Sequence, residues 1–253
     1  MKHFKLKQSD FWAKITFSKT PLNIFKIEDL IYLEKTLQEL KNQENLRLIV
    51  FESDQKVFSA GVDIADHLPE TATEMMKAFH KLFLTLIDLE IPTLSLVKGA
   101  CLGGGSEFAL FCDFVLATEK ASFAQPEIKL AYFPPLSMAH LTYLTGNKKA
   151  LELILTGENL SAKDALNAGL INHVFSEEEF DKKADQFINS ITQNSTSVIR
   201  TTLKAYKKIN YKDLKEKLEF AEKVFLEKLL KLEDCREGTN SFLEKRHPVW
   251  KNK

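Results

Sequence analysis

Lys98 to Asp113 reads K-G-A-C-L-G-G-G-S-E-F-A-L-F-C-D, and the fold of the chain turns on this stretch. The short apolar run Thr93–Val97 leads into three consecutive glycines, Gly103, Gly104 and Gly105, and then directly into an amphipathic segment. Glycines where a strand becomes a helix let the backbone approach a ligand closely. They also leave the first N–H groups of the helix, and the positive end of its dipole, facing whatever sits there. Glu107 falls in the first turn beyond, so a carboxylate and a cluster of free donors converge. That arrangement suits chemistry that develops negative charge on an oxygen while a proton moves nearby.

Working outward, short apolar runs rich in β-branched residues predict strands over Trp12–Phe17, Leu46–Phe51, Thr93–Val97, Phe114–Thr118 and Ile171–Phe175. Helical patterns separate most of them, which predicts an α/β protein. Leu30, Leu33, Leu37 and Leu40 recur at spacings of three and four, and Met75, Phe79, Leu82 and Leu86 do the same, each set giving one buried helix face. Ser161 with Asp164 reads as an N-cap, and Gly169 is placed to end that short helix. Beyond about Ser197 no strand pattern appears, and Leu214, Leu218, Phe225 and Leu229 mark long helices. The division expected is a core over residues 1–195 and a helical C-terminal module over 196–253, with no low-complexity linker and no internal repeat.

Thirty-five basic and thirty-five acidic residues leave no net charge, so no global field draws the 253-residue chain to nucleic acid or an anionic membrane. Cys101, Cys112 and Cys235 have no metal-ligand spacing and cannot all pair, which points to a reducing compartment. No apolar run approaches the ~20 residues needed to span a bilayer, and Met1–Asp10 lacks the apolar region of a secretory signal. The expectation is a cytoplasmic protein without a bound metal.

The glycine stretch is similar to the signature of the crotonase, or enoyl-CoA hydratase/isomerase, superfamily. Three further segments resemble that family in order: F-S-A-G-V-D-I at Phe58–Ile64, F-A-Q-P-E-I at Phe123–Ile128, and L-T-G-E-N-L-S-A-K-D-A-L-N-A-G-L at Leu155–Leu170. F-L-E-K-R at Phe242–Arg246 resembles the family's last helix. The resemblance implies a crotonase-like ββα spiral core whose C-terminal helices build a homotrimer or a dimer of trimers. It implies an enzyme of the hydro-lyase type, adding water to an α,β-unsaturated acyl-CoA through an enolate, with coenzyme A as part of the substrate and no separate cofactor. Glu107 and Glu127 match the two carboxylates of the family's hydratases. Two carboxylates flanking one water can activate it and protonate the α-carbon, and since like charges resist joint ionisation one should have a raised pKa and act as the acid. The backbone N–H groups of Val62 and Gly104 match the oxyanion hole, a role in which only the main chain of Val62 is used. Lys56, Ala60, Phe242 and Lys245 match positions that reach coenzyme A; Asp63 and His67 fall on the segment lining the acyl pocket.

Read without these motifs, Glu107 is equally a carboxylate stabilised at a helix N-terminus, Glu127 a surface turn residue, Ser59-Ala60-Gly61 a plain turn, and His67 a structural histidine. Ser106 invites a nucleophile reading, but no G-x-S-x-G elbow surrounds it. One departure concerns Ala131–His140, A-Y-F-P-P-L-S-M-A-H, where ordinary family hydratases carry a glycine-rich loop. Two prolines stiffen that backbone and Phe133 adds bulk. With S-A-G-V-D-I-A-D-H, this resembles the subgroup that hydrates cyclic dienoyl-CoA thioesters. Rival readings are a double-bond isomerase or decarboxylase on the same scaffold and, in a different class, a non-catalytic or RNA-binding member, for which the basic stretch Lys204–Lys215 is the only local support.

Overall fold

Runs such as Leu48-Ile49-Val50-Phe51 and Thr93-Leu94-Ser95-Leu96-Val97 are apolar at successive positions, the pattern of a parallel strand covered on both faces. A computed structural model describes residues 3–253. The chain opens with β1 (Phe4–Gln8), β2 (Trp12–Phe17), α1 (Ile27–Lys41), β3 (Leu48–Ser53) and α2 (Ala72–Ile87). Next come β4 (Thr93–Val97), β5 (Ala100–Leu102), α3 (Gly104–Phe111), β6 (Phe114–Thr118), β7 (Ser122–Ala124), α4 (Pro135–Thr145) and α5 (Asn147–Thr156). It finishes with β8 (Leu160–Ser161), α6 (Ala162–Asn167), β9 (His173–Phe175), α7 (Glu177–Thr192), α8 (Thr196–Asn210), α9 (Leu214–Glu227) and α10 (Glu233–Leu243). Short 3-10 turns lie at Ile64–His67, Pro126–Leu130 and Leu229–Lys231.

Six strands form one sheet in the order β1-β2-β3-β4-β6-β9, parallel except for the β1–β2 pair, and β5-β7-β8 form a second, smaller sheet. A repeating step connects the two layers. β4 leads to β5 and then α3; β6 leads to β7 and then to the turn at Pro126–Leu130. β3 leads in the same way to the extended segment around Ser59, which bridges Cys101 of β5 in parallel, and then to α2. This is a ββα spiral. Its turns put the ends of the small-layer strands, and the helices that come after them, around one space.

One face of the large sheet packs on α7 through Leu48, Val50, Leu94, Leu96, Leu116, Phe180, Ala184 and Ile188. The other face belongs to the main core, which includes the α1 stripe Leu30, Leu33, Leu37 and Leu40 and the α2 residues Met75, Met76, Phe79, Leu82, Phe83 and Leu86. Leu214, Leu218 and Phe225 of α9 and Cys235 of α10 join this same core. Helices α9 and α10 therefore fold back over the spiral and share its interior, whereas α8 buries no residue. Tyr132 fixes α10 in place: its hydroxyl lies 2.9 Å from Thr239 Oγ1 and donates to the Cys235 carbonyl at 3.2 Å.

Three expected strands have the bounds read from sequence. β3 starts two residues later than expected, because Leu46 is still in a turn, its N–H donating to the Gln43 carbonyl. β9 is shorter than Ile171–Phe175, since Leu170 and Ile171 are spent packing into the core before the chain reaches the sheet. Leu229, expected in a long helix, falls instead in a 3-10 turn after α9 ends at Glu227. The caps behave as read: the Ser161 hydroxyl accepts from the Asp164 N–H, and Gly169 takes a positive φ of 77° just past α6.

Candidate active site

The site is built where β5 becomes α3. Gly103 has φ 52° and ψ −132°, a conformation that favours glycine, and its N–H donates to the Ala124 carbonyl at 3.0 Å. Gly104 opens the helix. A Cβ on Gly104 would lie 2.9 Å from Val62 Cγ2, 3.4 Å from Phe79 and 3.5 Å from the Val62 nitrogen, so only glycine brings the two backbones this close. The Val62 segment is held from its other side: Phe25 N–H donates to the Gly61 carbonyl, and Asp63 N–H to the Phe25 carbonyl. In such a parallel bridge the N–H of the middle residue points the opposite way, here toward Gly104. As the first residue of a helix, Gly104 has no intrahelical partner for its own N–H. Two backbone donors thus share one small space.

Glu107, one turn into α3, is only 4% exposed. Its Oε1 accepts from the Ser137 N–H at 2.8 Å. Pro134 and Pro135 explain that donor. Proline is suited to a helix start, where its missing N–H is not needed, and α4 begins at Pro135 with Pro134 as its N-cap. The free N–H groups of the first turn, Leu136 and Ser137, then point at the carboxylate with the positive end of the α4 dipole behind them. Burial nevertheless pushes the Glu107 carboxyl up to about 7, and the Ser137 and Leu136 donors hold it from going higher. The proline pair read from sequence as a stiff wall is also a helix start that grips Glu107.

Glu127 sits in the turn Pro126–Leu130 against Gly103, where an added Cβ would come within 3.0 Å of its Oε1. Its Oε2 is buried without a hydrogen-bond partner. Burial first, and the negative charge of Glu107 second, hold its carboxyl well above the usual carboxylate range. The two carboxyls lie close enough that the charge of Glu107 raises the Glu127 carboxyl, so they titrate as a pair.

Both glutamates line a cleft of about 680 Å³ of empty space, part of it open to solvent, together with Ala60, Val62, His67, Gly104 and Phe133. The structure thus gathers seven of the expected residues. Lys56, Asp63, Phe242 and Lys245 do not line it. Phe242 is 53% exposed on α10, and Lys56 and Lys245 are also at the surface. Asp63 acts on a neighbour: its carbonyl accepts from His67 Nδ1 at 3.0 Å, and its side chain caps the turn Ile64–His67 by accepting from Ala65 N–H. Burial lowers the His67 pKa, against the raising effect of the Asp63 carbonyl and the Asp66 charge. Met75, Met76 and Phe79 of α2, Tyr132, and Phe225 of α9 complete the apolar wall. Their helical spacing marks Met75, Phe79 and Phe225 as buried, but nothing in that spacing separates a core face from a pocket wall.

Among the described residues no group of three or more His, Cys, Asp or Glu is arranged to hold a metal ion, and no helix is long and apolar enough to cross a membrane. The basic stretch Lys204–Lys215 is largely neutralised within the chain. Lys204 pairs with Glu90 at 2.6 Å, Lys207 with Asp113 at 3.6 Å and Lys215 with Asp88 at 2.7 Å. Cys101, Cys112 and Cys235 are buried free thiols.

A ββα spiral thus brings two buried carboxyls and the Val62 and Gly104 backbones to one apolar cleft. Residues 9–253 match the family model described as enoyl-CoA hydratase/isomerase. A cyclohexa-1,5-dienecarbonyl-CoA hydratase of Thauera aromatica is 29% identical over 248 residues, covering 98% of this chain and 96% of the relative. The enoyl-CoA hydratase domain-containing protein 3, mitochondrial, of Xenopus laevis is 30% identical over 226 residues, covering 86% of this chain and 75% of that one. The crystal structure of an enoyl-CoA hydratase from Mycobacterium avium subsp. paratuberculosis shares the fold at TM-score 0.90 and 23% identity, covering 99% of both chains. The chain belongs to the enoyl-CoA hydratase/isomerase family. It is an enzyme of that family, whose members act on acyl-CoA thioesters.

Proposed function

We propose that this enzyme adds water to an α,β-unsaturated acyl-CoA, with Glu107 as general base and Glu127 as general acid. The observation that carries the reading is the unequal pair of buried carboxyls: Glu107 is held by the α4 N-terminus, while Glu127 has an unpartnered oxygen and a strongly raised pKa. In this mechanism the thioester carbonyl oxygen accepts from the Val62 and Gly104 N–H groups. Glu107 takes a proton from water as the water oxygen bonds to the β-carbon. Electrons move onto the thioester oxygen, and the enolate collapses as Glu127 delivers its proton to the α-carbon. The proton count of the pair is unchanged. Hydration uses two carboxyls, whereas moving a double bond needs a single base, which favours hydration over the rival chemistry. Activity should rise with pH as Glu107 ionises, then fall as Glu127 loses its proton, giving a bell-shaped profile whose limbs belong to the pair.

Coenzyme A enters this reading as part of the substrate, with no other cofactor. Ala60 meets the pantetheine arm at the cleft, while Lys56, Phe242 and Lys245 reach the nucleotide from the surface. A flexible lysine serves a phosphate as a point charge without exact placement. Phe242, Phe220, Ile209 and Val198 leave large apolar areas exposed on the C-terminal helices, which supports self-association as a trimer or a dimer of trimers. Light scattering at micromolar concentration should give a multiple of 28.9 kDa, and a monomer throughout that range would overturn the assembly.

For the acyl group we favour a bulky or cyclic dienoyl thioester. Phe133, Pro134, Pro135 and Phe225 stiffen one side of the cleft, and the Thauera relative is a cyclohexa-1,5-dienecarbonyl-CoA hydratase. A rigid ring loses less freedom against such a wall than a flexible chain does. Pocket shape discriminates modestly, by about 10- to 200-fold, so the expected result is a preference in kcat/KM over crotonyl-CoA within that range. A preference for crotonyl-CoA would remove the cyclic substrate and leave the hydratase reading intact.

A further inference from the structure

Two polar side chains behind the cleft are used by no step above. Ser106 directly precedes Glu107 on α3, and Gln125 lies two residues before Glu127. They are 1% and 2% exposed. Gln125 Nε2 donates to Ser106 Oγ at 3.3 Å, whereas Gln125 Oε1 is buried with no partner. The surroundings are apolar, with Leu110, Phe123, Leu141, Leu153, Leu160 and Leu170 packed about the pair. Burying an amide whose oxygen has no hydrogen-bond partner is unfavourable, and a methionine would fill the same space without that cost. The backbone ties between these two segments stop short of the carboxyls: Leu102 pairs with Ala124, and Gly103 N–H donates to the Ala124 carbonyl. Past those residues the chain diverges into α3 on one side and the turn Pro126–Leu130 on the other. The side-chain bond is the next link between the segments, one residue from Glu107 and two from Glu127.

We infer that Ser106 and Gln125 are positioning residues, a tether that sets the separation of the Glu107 and Glu127 carboxyls. The inference rests on the reading of those two glutamates as the acid–base pair. A tether matters here because both carboxyls must meet one water and one double bond, and a displacement of about 1 Å can cost up to about 100-fold in rate. The separation also sets how strongly the charge of Glu107 holds the proton on Glu127. Letting the carboxyls part weakens that repulsion, so Glu127 loses its proton at lower pH. The other titratable side chains facing the cleft are His67 and Tyr132. Burial lowers the pKa of the first, and the second is fixed through its hydroxyl to Thr239 and the backbone carbonyls of His67 and Cys235.

The experiment compares pH profiles of kcat for the full chain, Ser106→Ala, Gln125→Met and the double variant, with KM and melting temperature measured alongside. The tether predicts a kcat loss of about 10- to 100-fold in each single variant with KM within about twofold. It also predicts an alkaline limb moved to lower pH, and a double variant no worse than either single one. An unmoved alkaline limb, or losses that multiply in the double variant, would overturn it, since a merely structural pair lowers the melting temperature without shifting the limb. Glu107→Gln and Glu127→Gln separate the two readings. If both are inactive while Ser106→Ala keeps the wild-type profile, the tether fails alone; if both stay active, the acid–base assignment itself fails.

Discussion

Glu107→Gln and Glu127→Gln should each lower turnover by about 100-fold or more, the scale of general acid–base catalysis by a positioned side chain. The amide keeps the shape of the carboxyl but can neither take a proton from water nor deliver one to carbon. KM should change little, because the proposed contacts to the thioester are the backbone donors and the apolar wall, which these variants keep. Loss in only one variant would reduce the mechanism to a single base and favour isomerisation. The same variants carry a stability signature of opposite sign. Both carboxyls have folded pKa values raised above the unfolded ones. Their contribution to stability is therefore fully present below the unfolded value of about 4.3 and is lost as pH rises through the folded values. At pH 8 the neutral amide should melt higher than the wild type. For a chain of this size about 1 kcal/mol corresponds to roughly 2–4 °C. A variant at once less active and more stable at alkaline pH is what a strained catalytic pair produces. Equal melting curves at pH 8 would mean that burial does not penalise these charges.

Gly104→Val should abolish activity while leaving most of the fold. The added Cβ would press on Val62 Cγ2 at 2.9 Å and Phe79 at 3.4 Å, in the space where the thioester oxygen is proposed to lie. Loss of one oxyanion donor typically costs about 100- to 1,000-fold in kcat, and this substitution displaces both donors. The backbone at Gly104 is helical, so the cost is one of space and not of conformation. Phe79 and the end of Val62 are side chains that can shift, so circular dichroism should report a folded protein. A folded, fully active Gly104→Val enzyme would put the oxyanion hole elsewhere.

Much of this was legible in the sequence for identifiable reasons. Thr93–Val97 and Phe114–Thr118 are strands buried on both faces, so their composition alone declares them. The glycine run before Glu107 announces a strand-to-helix corner, because close backbone approach needs glycine. The small sheet was not legible. β5, β7 and β8 are two or three residues long, too short for alternation to register, and they exist only because the spiral brings them side by side. The spiral repeat itself leaves no sequence period, since its three turns differ in length and in the helix or 3-10 turn that succeeds each small-layer strand. β1 is an edge strand with a single buried residue, Phe4, and offers little pattern. In the site, Glu107, Glu127, Val62 and Gly104 were marked by motifs, and the structure draws them into one cleft. Phe225 was marked as core only: its role depends on α9 packing against α2 and α4, far along the chain from the glycine run, which no local pattern encodes. Ser137 reaches Glu107 first through its backbone N–H and then through its hydroxyl, and a lone serine after two prolines gave no signal of either.

Addition of water across a conjugated thioester can be followed atom by atom with labelled solvent. Wild-type enzyme is mixed with an α,β-unsaturated acyl-CoA, linear or cyclic, in ¹⁸O-labelled water. The ultraviolet band of the conjugated thioester is monitored, and the product is weighed by mass spectrometry. Hydration should give loss of the band together with a product heavier by one labelled water, its oxygen on the β-carbon, and both signals should fall about 100-fold or more in Glu127→Gln. A product of unchanged mass with a relocated double bond, or one lighter by carbon dioxide, would contradict it.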